Sequence, residues 1–484
     1  MAALALYAYT TAPWLTWAHE GADGGDLISA AMTWGVPHPS GYPTYCLLGR
    51  AFALLPLGNI AHRFNLFSAS AATAAVVLIY LAALQAIGEQ PSWQERASAF
   101  VAALALVYSP VFWSQAIISE VYALNALFVA SCLYLALQLK TGEHPPYLWG
   151  LLGLSIGLGM GSHLTILFLL PGLLWLLWPQ LQRSRSLALL VGLALGLGVF
   201  LYLPLAARRD PPINWGDAHT WKGFWWLVSG QAYRGYIFGL PWRYFPSRLA
   251  SWAQLWGKQF TWPGLALALW GLGSWLEEPK PRLALGSLFS TALYSVYAIT
   301  YDTTDSYIYL LPTYLISALW LAQGAKLLLL LLRKRGLPLL SGLLLLVLPF
   351  YSLGANYASL NLHHDHLAQR WANQVLQQAP PHALLITGED RHTFTLSYTR
   401  WVEKRRPDLL LVDGELLAHP WYVRQLVKRY PSLAPLQKAP SLKTLLSLQL
   451  GQRPIYLTSP RPELEETFYI AKEGDVLWKV TFQR

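Results

Sequence analysis

Three carboxylates lie within seven residues of one another near the amino terminus: Glu20, Asp23 and Asp26. If this segment is helical, their spacing of three places them on one face, but the Gly24-Gly25 pair is equally compatible with a turn before a helix that begins at Asp26. Crowded like charges raise the pKa of at least one carboxyl group, which suits it to take a proton from a hydroxyl. The structural alternative is that Asp23 is a helix N-cap and Glu20 a solvated loop charge.

A second group of polar residues follows in the sequence HPSGYP (38–43). Its prolines and glycine favour a rigid turn, which would hold His38 and Tyr42 in fixed positions. We expect both side chains at a substrate site. The alternative is a structural turn with a solvated histidine.

Other ionisable residues stand next to the ends of apolar stretches. Glu120 begins one of them, and a boundary carboxylate either faces a polar interior or complements a helix dipole. Arg208 and Arg209 follow another, where they suit a phosphate or anchor lipid headgroups. The ionisable residues expected at one depth and on one side are Glu20, Asp23, Asp26, His38, Glu120, His163, Arg208, Arg209, Asp217, Asp302 and Asp305. Their convergence implies a polar cavity that is open to the outer leaflet.

The composition places this cavity in a membrane protein. Of 484 residues, 54% are hydrophobic and only 12% are charged, which excludes an ordinary soluble enzyme. We count about eleven apolar stretches long enough to cross a bilayer. They are Leu4–Trp17, Asn65–Ile87, Ala97–Gln115, Glu120–Leu139, Tyr147–Gly161, His163–Trp178, Leu187–Ala207, Trp262–Leu276, Leu283–Thr300, Tyr307–Leu332 and Leu337–Tyr357.

The short connections indicate the orientation, because Lys and Arg accumulate on the cytoplasmic side. All the basic connections fall on one face: Arg96, Lys140, Arg183 with Arg185, Lys280 with Arg282, and 333–335. We therefore expect a multi-pass protein of the cell membrane with a cytoplasmic amino terminus. Residues 1–357 would form the membrane domain, with long external loops at 18–64 and 208–261. The net charge of +10 comes mostly from residues that flank apolar runs, so we expect no nucleic-acid partner.

The region 358–484 has a different composition, with more charge and short apolar runs between helical stretches. Three runs read as buried strands, HALLITG (382–388), DLLLVD (408–413) and PIYLTS (454–459), and they predict a small extracytoplasmic α/β domain with a parallel sheet. No phosphate-binding glycine motif accompanies them, so a nucleotide site has no support. No cofactor is required by any motif. A divalent metal at the acids stays open, because no HxxxH or comparable spacing demands one.

An ordered set of motifs resembles a membrane family formerly catalogued as a domain of unknown function. The family is placed among GT-C glycosyltransferases, beside protein O-mannosyltransferases. The resemblance covers nearly the whole chain, and the motifs are DGGD (23–26), HPSGYP (38–43), NLFSA (65–69), FWSQA (112–116), EVYALN (120–125), GLGMGSH (157–163), YLPL (202–205), INWGD (213–217), RPD (406–408) and PWY (420–422). The family's D-x-G-[ED] motif falls on Asp23 and Asp26, which the resemblance makes the catalytic acids. The family often has Glu where this chain has Asp26, and HPPG where it has Ser40.

The resemblance implies an inverting displacement. The sugar, expected to be mannose, would come from a polyprenyl-phosphate co-substrate and pass to an acceptor hydroxyl, expected to be a protein Ser or Thr. Candidates to stabilise the leaving phosphate are Arg208, Arg209, His163 and Tyr202. The substrate-binding set is completed by His38, Tyr42, Glu120, Asp217 and Asp302. The lipid bilayer and the acceptor protein are the other expected partners.

Two other classes of protein share some of these features. A transporter or lipid-sugar flippase also has many spans and buried polar groups, but it often has an internal repeat and broken helices at mid-membrane. No obvious repeat is present in this sequence, and its ionisable groups cluster at the outer boundary. A non-catalytic membrane scaffold with an external binding domain is the second alternative.

The basic connections generate a topological prediction. A cysteine introduced at Gln437 should react with an impermeant thiol reagent in intact cells, because the carboxyl-terminal domain is expected outside. A cysteine at Ser184, between Arg183 and Arg185, should react only after lysis. Labelling of the Gln437 position only after lysis would contradict this orientation.

Overall fold

The computed structural model describes residues 1–88, 91–277 and 280–483. Up to residue 360 the elements are helical. The α-helices of this part are α1 (Ala2–Thr10), α2 (Gly24–Thr33), α3 (Pro43–Phe52), α4 (Ile60–Ile87), α5 (Trp93–Val107), α6 (Pro110–Ala116), α7 (Val121–Leu139), α8 (Pro146–Met160), α9 (Leu170–Leu177), α10 (Arg183–Leu197), α11 (Tyr202–Ala207), α12 (Trp221–Val228), α13 (Phe245–Glu277), α14 (Pro281–Thr300), α15 (Leu311–Lys334) and α16 (Pro338–Leu360). Short 3₁₀ turns at Ala18–Asp23, Leu164–Leu169, Gly198–Leu201 and Ser306–Leu310 extend or connect them.

Six helical segments are long and apolar enough to cross a membrane, by length and composition. They are Ile60–Ile87, Val121–Leu139, Arg183–Ala207, Pro281–Thr300, Ser306–Lys334 and Gly342–Leu360. A seventh crossing results if α5 and α6, which are bent by 66° at their junction, form one broken span. Pro146–Met160 and Leu164–Gln180 are apolar but shorter. The chain is therefore a polytopic helical membrane protein, and the number of eleven spans stays a prediction.

One of the predicted span boundaries was wrong. The first predicted span is not one helix, because α1 ends at Thr10 and the next residue has extended backbone angles. The predicted boundary between the second long loop and the next span, at residue 261, coincides with a break in α13, because Thr261 has non-helical backbone angles. The segment before this break is also helical, since α13 begins at Phe245.

Glycines allow the membrane helices to approach one another closely. α8 and α10 pack along Gly153, Gly157, Gly192 and Gly196. A Cβ atom at Gly192 would lie 1.9 Å from the backbone oxygen of Gly150. Small residues at such crossings bring helix backbones into contact, which is a common way to pack helices in lipid.

The carboxyl-terminal part contains a five-stranded mixed sheet covered by helices. Its elements are α17 (Leu367–Gln378), β1 (Leu384–Thr387), α18 (Asp390–Trp401), β2 (Leu410–Asp413), α19 (Pro420–Arg429), α20 (Leu442–Gln449), β3 (Ile455–Leu457), α21 (Pro462–Glu465), β4 (Phe468–Glu473) and β5 (Leu477–Gln483). The strand order is β2-β1-β3-β5-β4, and β1 pairs in parallel with β2 and β3. These three strands lie within the predicted segments. The predicted parallel pairing of these three strands is confirmed. The hairpin β4–β5, which the sequence did not predict, adds two antiparallel strands.

The close contact of α8 and α10 predicts a stability effect. Gly192→Ala should destabilise the protein by about 1–3 kcal/mol, because the new methyl group collides with backbone that has no side chain to move aside. Gly198→Ala is the matched control, since no atom lies within 4 Å of its Cβ position. Thermal unfolding of both variants in detergent checks this. Equal unfolding temperatures would show that the two helices can separate at no cost.

Candidate active site

The acidic segment forms a tight turn followed by a helix, not one continuous helix. Residues Ala18–Asp23 form a 3₁₀ turn in which His19 and Glu20 have left-handed backbone angles, and α2 begins at Gly24. Asp23 stands at the N-cap position of α2, but its side chain makes no capping hydrogen bond. The N-cap alternative is therefore wrong for the Asp23 carboxylate, which is free to face another group.

His38 connects the two catalytic candidates. Its Nδ1 lies 2.8 Å from Oδ2 of Asp26, and its Nε2 lies 3.4 Å from Oδ2 of Asp23. Asp26 also accepts hydrogen bonds from the backbone N–H of His38 at 2.9 Å and from Nε1 of Trp215 at 3.1 Å. Asp26 is only 1% exposed, whereas the side chain of Asp23 is 40% exposed. Asp26 is thus saturated with partners, and Asp23 is accessible.

The charge of His38 and the charges of the acidic residues around it depend on one another. Burial disfavours a charged His38, but the attraction of Asp23 and the hydrogen bond to Asp26 outweigh it and raise the pKa of His38 to about 9. Burial raises the pKa of Asp23, with His38 acting in the opposite direction. Burial and the neighbouring acids Asp305 and Asp23 also raise the pKa of Glu20. At neutral pH His38 is therefore an imidazolium that favours the ionised form of Asp23.

Asp23 and His38 open into a cleft with about 1640 Å³ of empty space that is continuous with solvent. Three further carboxylates line it, from Glu20, Asp305 and Asp390. Among the described lining residues there is no Arg or Lys. The cleft is therefore acidic, with His38 as its positive group.

Aromatic rings form the wall opposite the acids. Tyr309 packs against Tyr301 and Tyr297, each with ring centroids 5.3 Å away, and against His163 at 5.7 Å. Tyr42 stacks on His163 with centroids 6.2 Å apart. The Nδ1 of His163 accepts a hydrogen bond from the backbone N–H of Thr165 at 3.3 Å. Its Nε2 is therefore the ring nitrogen that can carry a proton and donate a hydrogen bond in the site.

The structure brings five of the predicted site residues together: Asp23, Asp26, His38, Tyr42 and His163. All of them line the cleft except Asp26, which lies directly behind His38. Glu120 is buried next to this group, where its carboxylate accepts a hydrogen bond from the backbone N–H of Val121. A polar cavity at one end of the membrane helices, as predicted, is thus present.

Four of the remaining five predicted residues do not line the cleft and make no contact with this group. Tyr202 donates its hydroxyl to the backbone oxygen of Gly35 at 2.7 Å, and Asp302, Arg208 and Arg209 are exposed. These residues lie near the same helix ends as the site residues, but their side chains are not part of the cleft lining.

Asp217 also lies away from the cleft, and it joins the two parts of the chain. Its carboxylate pairs with Arg424 at 2.5 Å and accepts a hydrogen bond from Gln425 at 3.0 Å, and both of these residues lie on α19. Its role is structural, because both oxygens are engaged by the carboxyl-terminal part.

Sequence reasoning missed the contribution of the carboxyl-terminal part to the cleft. Asp390 and Phe394 of α18 line it, and the Phe394 ring stacks on His38 with centroids 6.1 Å apart. Gly25 makes this possible, because a Cβ atom there would lie 2.4 Å from the backbone oxygen of Phe394. The Gly24-Gly25 pair was the available signal, but it was interpreted only as a turn.

The described residues contain no group of three or more His, Cys, Asp or Glu side chains arranged to hold a metal ion. The nearest approach to such a set is the pair of carboxylates around His38. Both nitrogens of this histidine already face carboxylate oxygens.

Two family models match this chain in order. One, described as the protein O-mannosyl-transferase TMEM260 N-terminal domain, matches residues 23–187, and the TMEM260-associated domain 2 matches residues 368–443. The mouse protein O-mannosyl-transferase TMEM260 is 24% identical over 95% of this chain and 69% of its own length. The Dictyostelium discoideum protein of the same name is 24% identical over 90% of this chain and 61% of its own length, so this chain spans less than two thirds of that relative.

Solved structures show the same fold. ArnT from Cupriavidus metallidurans, bound to undecaprenyl phosphate, has a TM-score of 0.62 at 14% identity and covers 99% of this chain and 96% of its own. The oligosaccharyltransferase AglB from Archaeoglobus fulgidus, in complex with an inhibitory peptide and a dolichol-phosphate, has a TM-score of 0.55 at 11% identity, over 96% of this chain and 69% of its own. In two separate segments the chain is similar to the protein O-mannosyltransferase TMEM260 family, and it shares its fold with these two solved enzymes. The family match begins at Asp23 and includes His38, and the second match includes α18 with Asp390 and Phe394.

The raised pKa of His38 predicts a pH-dependent contribution to stability. A folded pKa of about 9, above the ordinary value of 6.5, means that the contribution is complete below pH 6.5 and is lost as the pH rises through 9. The difference in unfolding temperature between the unchanged protein and His38→Asn should therefore shrink over this interval. His219→Asn is the control for the loss of an imidazole at an exposed position outside the cleft. A His38 difference that grows with pH would contradict the charged bridge.

Proposed function

We propose that this membrane glycosyltransferase transfers a mannosyl group from a polyprenyl-phosphate carrier to a Ser or Thr hydroxyl of a protein, with inversion at the anomeric carbon. The observation that carries the proposal is the accessible carboxylate of Asp23, held beside His38 in a cleft at the outer ends of the helices. The family and the fold support the class of reaction. The names of the relatives support mannose and a protein acceptor.

Asp23 is the better candidate for the general base. A base must reach the proton that it removes, and Asp23 is 40% exposed whereas Asp26 is 1% exposed. Asp26 accepts hydrogen bonds from Trp215 and from the backbone of His38, so its lone pairs are engaged. Asp26 is thus a positioning residue that holds His38 in place.

The reaction balances with these groups. Asp23 accepts the hydroxyl proton while the acceptor oxygen forms a bond to the anomeric carbon. The bond between that carbon and the phosphate oxygen breaks, and its electron pair leaves with the lipid phosphate. Asp23 then returns the proton to solvent, because the cleft is open.

Hydrogen-bond donors of the aromatic wall are the groups proposed to hold the donor phosphate. Arg208 and Arg209 are exposed and lie outside the cleft lining, so they do not contact a phosphate bound in the cleft. His163 and the hydroxyls of Tyr122 and Tyr309 line the cleft and can donate to phosphate oxygens. ArnT bound to undecaprenyl phosphate and AglB bound to a dolichol-phosphate support a lipid carrier.

The acceptor is proposed to enter along the carboxyl-terminal part. Asp390 and Phe394 of α18, together with Trp215, form the side of the cleft next to His38. A protein segment bound there would bring a hydroxyl to Asp23 from the aqueous side, while the carrier approaches from the bilayer. The complex of AglB with an inhibitory peptide supports a peptide acceptor in this fold.

Purified protein tests the base. It is incubated with polyprenyl-phosphate mannose and a Ser/Thr-containing peptide, and the glycopeptide is measured by mass spectrometry. Asp23→Asn should lower the rate by about 10²–10⁴-fold, the usual loss for a general base, with folding intact. Asp26→Asn should also lower it strongly, because His38 loses its anchor, and Asp475→Asn at the exposed β4–β5 turn is the control.

Two results would contradict the proposal. If Asp23→Asn and Asp26→Asn each keep more than about a tenth of the unchanged rate, the acids are structural, since a lost base costs at least about 10²-fold. If a nucleotide sugar supports transfer with no lipid carrier present, the assignment of the donor is wrong.

A further inference from the structure

A second groove lies beside the cleft and is not used by the proposed reaction. One wall is the outer half of α13, and the other is formed by the end of α14 and the turn that begins α15. It encloses about 690 Å³ of empty space, open on one side. Its lining residues are Arg248, Ser251, Trp252, Gln254, Leu255, Lys258, Ala298, Ile299, Ser306, Tyr307 and Leu310.

The spacing on α13 explains why these side chains share one wall. Arg248, Trp252, Leu255 and Lys258 are separated by four, three and three residues, which repeats the period of an α-helix. Ile299 is near the carboxyl end of α14, which ends at Thr300. The groove therefore lies at the same end of the helices as Asp23, where a bilayer has its headgroups.

The groove combines positive charge with apolar surface. Lys258 is exposed, and it has no hydrogen bond or ion pair with any described residue. Arg248 uses one terminal nitrogen to contact the backbone oxygen of Thr303 and the hydroxyl of Ser306, which leaves its other N–H groups available. No carboxylate is among the described lining residues, and Nε1 of Trp252 is buried without a partner. Such a surface complements an anion that carries an apolar tail.

We propose that this groove binds an anionic phospholipid of the surrounding bilayer. Lys258 contacts the lipid phosphate, and Leu255 and Ile299 contact the first part of the acyl chain. Arg248 closes the outer end of the groove. The bilayer lipid is favoured over the sugar carrier, because neither Arg248 nor Lys258 lines the cleft in which the carrier must meet Asp23.

The bound lipid would also stabilise the segment of residues 301–307, which borders the cleft. Residues 301–307 separate the two spaces, with Tyr301, Thr303 and Asp305 facing the cleft and Tyr307 facing the groove. Arg248 is bonded to this segment at Thr303 and Ser306. A phospholipid in the groove would therefore stabilise the position of Asp305. This inference goes beyond the proposed function, since binding does not require sugar transfer.

Native mass spectrometry of the purified full chain in detergent, titrated with phosphatidylglycerol, tests the site. Lys258→Gln should weaken retention of the lipid about fivefold, the effect of one basic residue at an anionic surface. Lys258→Arg should restore it. Lys222→Gln is the matched control, because Lys222 is an exposed lysine outside the groove. Thermal unfolding of each variant shows that folding is unchanged.

Three results would overturn this proposal. One is equal retention of phosphatidylglycerol by Lys258→Gln and the unchanged protein. Another is equal retention of phosphatidylcholine, which would show that the groove does not select negative charge. The third is displacement of phosphatidylglycerol by equimolar undecaprenyl phosphate, which would assign the groove to the carrier. Loss of transferase activity in Asp23→Asn bears on the proposed function alone and leaves lipid retention unaffected.

Discussion

The buried bridge from Asp26 through His38 to Asp23 is the interaction on which the rest of the site depends. A charged imidazole that is 5% exposed is stable only beside negative groups, and His38 has one at each nitrogen. Asp26, in turn, is buried at an acceptable cost because Trp215 and the His38 backbone donate to it. Removing one partner of a buried ion pair typically costs about 3–5 kcal/mol, since the other charge stays behind. The acidic turn, the HPSGYP turn and the Trp215 segment must therefore be ordered together.

The same constraint explains why the carboxyl-terminal part forms one side of the cleft. α18 approaches α2 so closely that only a hydrogen fits at Gly25, and this contact brings Phe394 onto the ring of His38. The apolar face of Phe394 shields the imidazole from water, which strengthens its attraction to the two carboxylates. Asp217, bonded to Arg424 and Gln425, holds the two parts together at a second point. One side of the cleft thus forms only when the carboxyl-terminal part packs against the membrane domain, which is distant from it in sequence.

Local sequence predicted what local geometry determines. The motifs around Asp23, Asp26 and His38 are short and rigid, so their residues were placed correctly near one another, and β1 to β3 lie within their predicted segments. The direction in which a side chain points relative to distant parts of the chain could not be predicted in the same way. Arg208 follows a helix that ends at the right depth, but which way its side chain points is decided by packing around α11. Phe394 and Tyr309 carry no motif, because an aromatic residue looks the same whether it lines a cleft, a core or a membrane interface.

The charge of the cleft has a consequence for the proposed reaction. Carboxylates from Glu20, Asp23, Asp305 and Asp390 face the space in which the sugar must sit, with His38 as the positive group of the described lining. Preorganised negative charge stabilises the positive charge that develops at the anomeric carbon as the phosphate bond breaks. It also repels the phosphate once that bond is broken. The phosphate already gains negative charge as that bond breaks, so the hydrogen-bond donors of the aromatic wall have to stabilise it in the transition state. The acidic cleft then favours departure of the lipid product, whereas a cleft lined with arginines would retain the spent carrier.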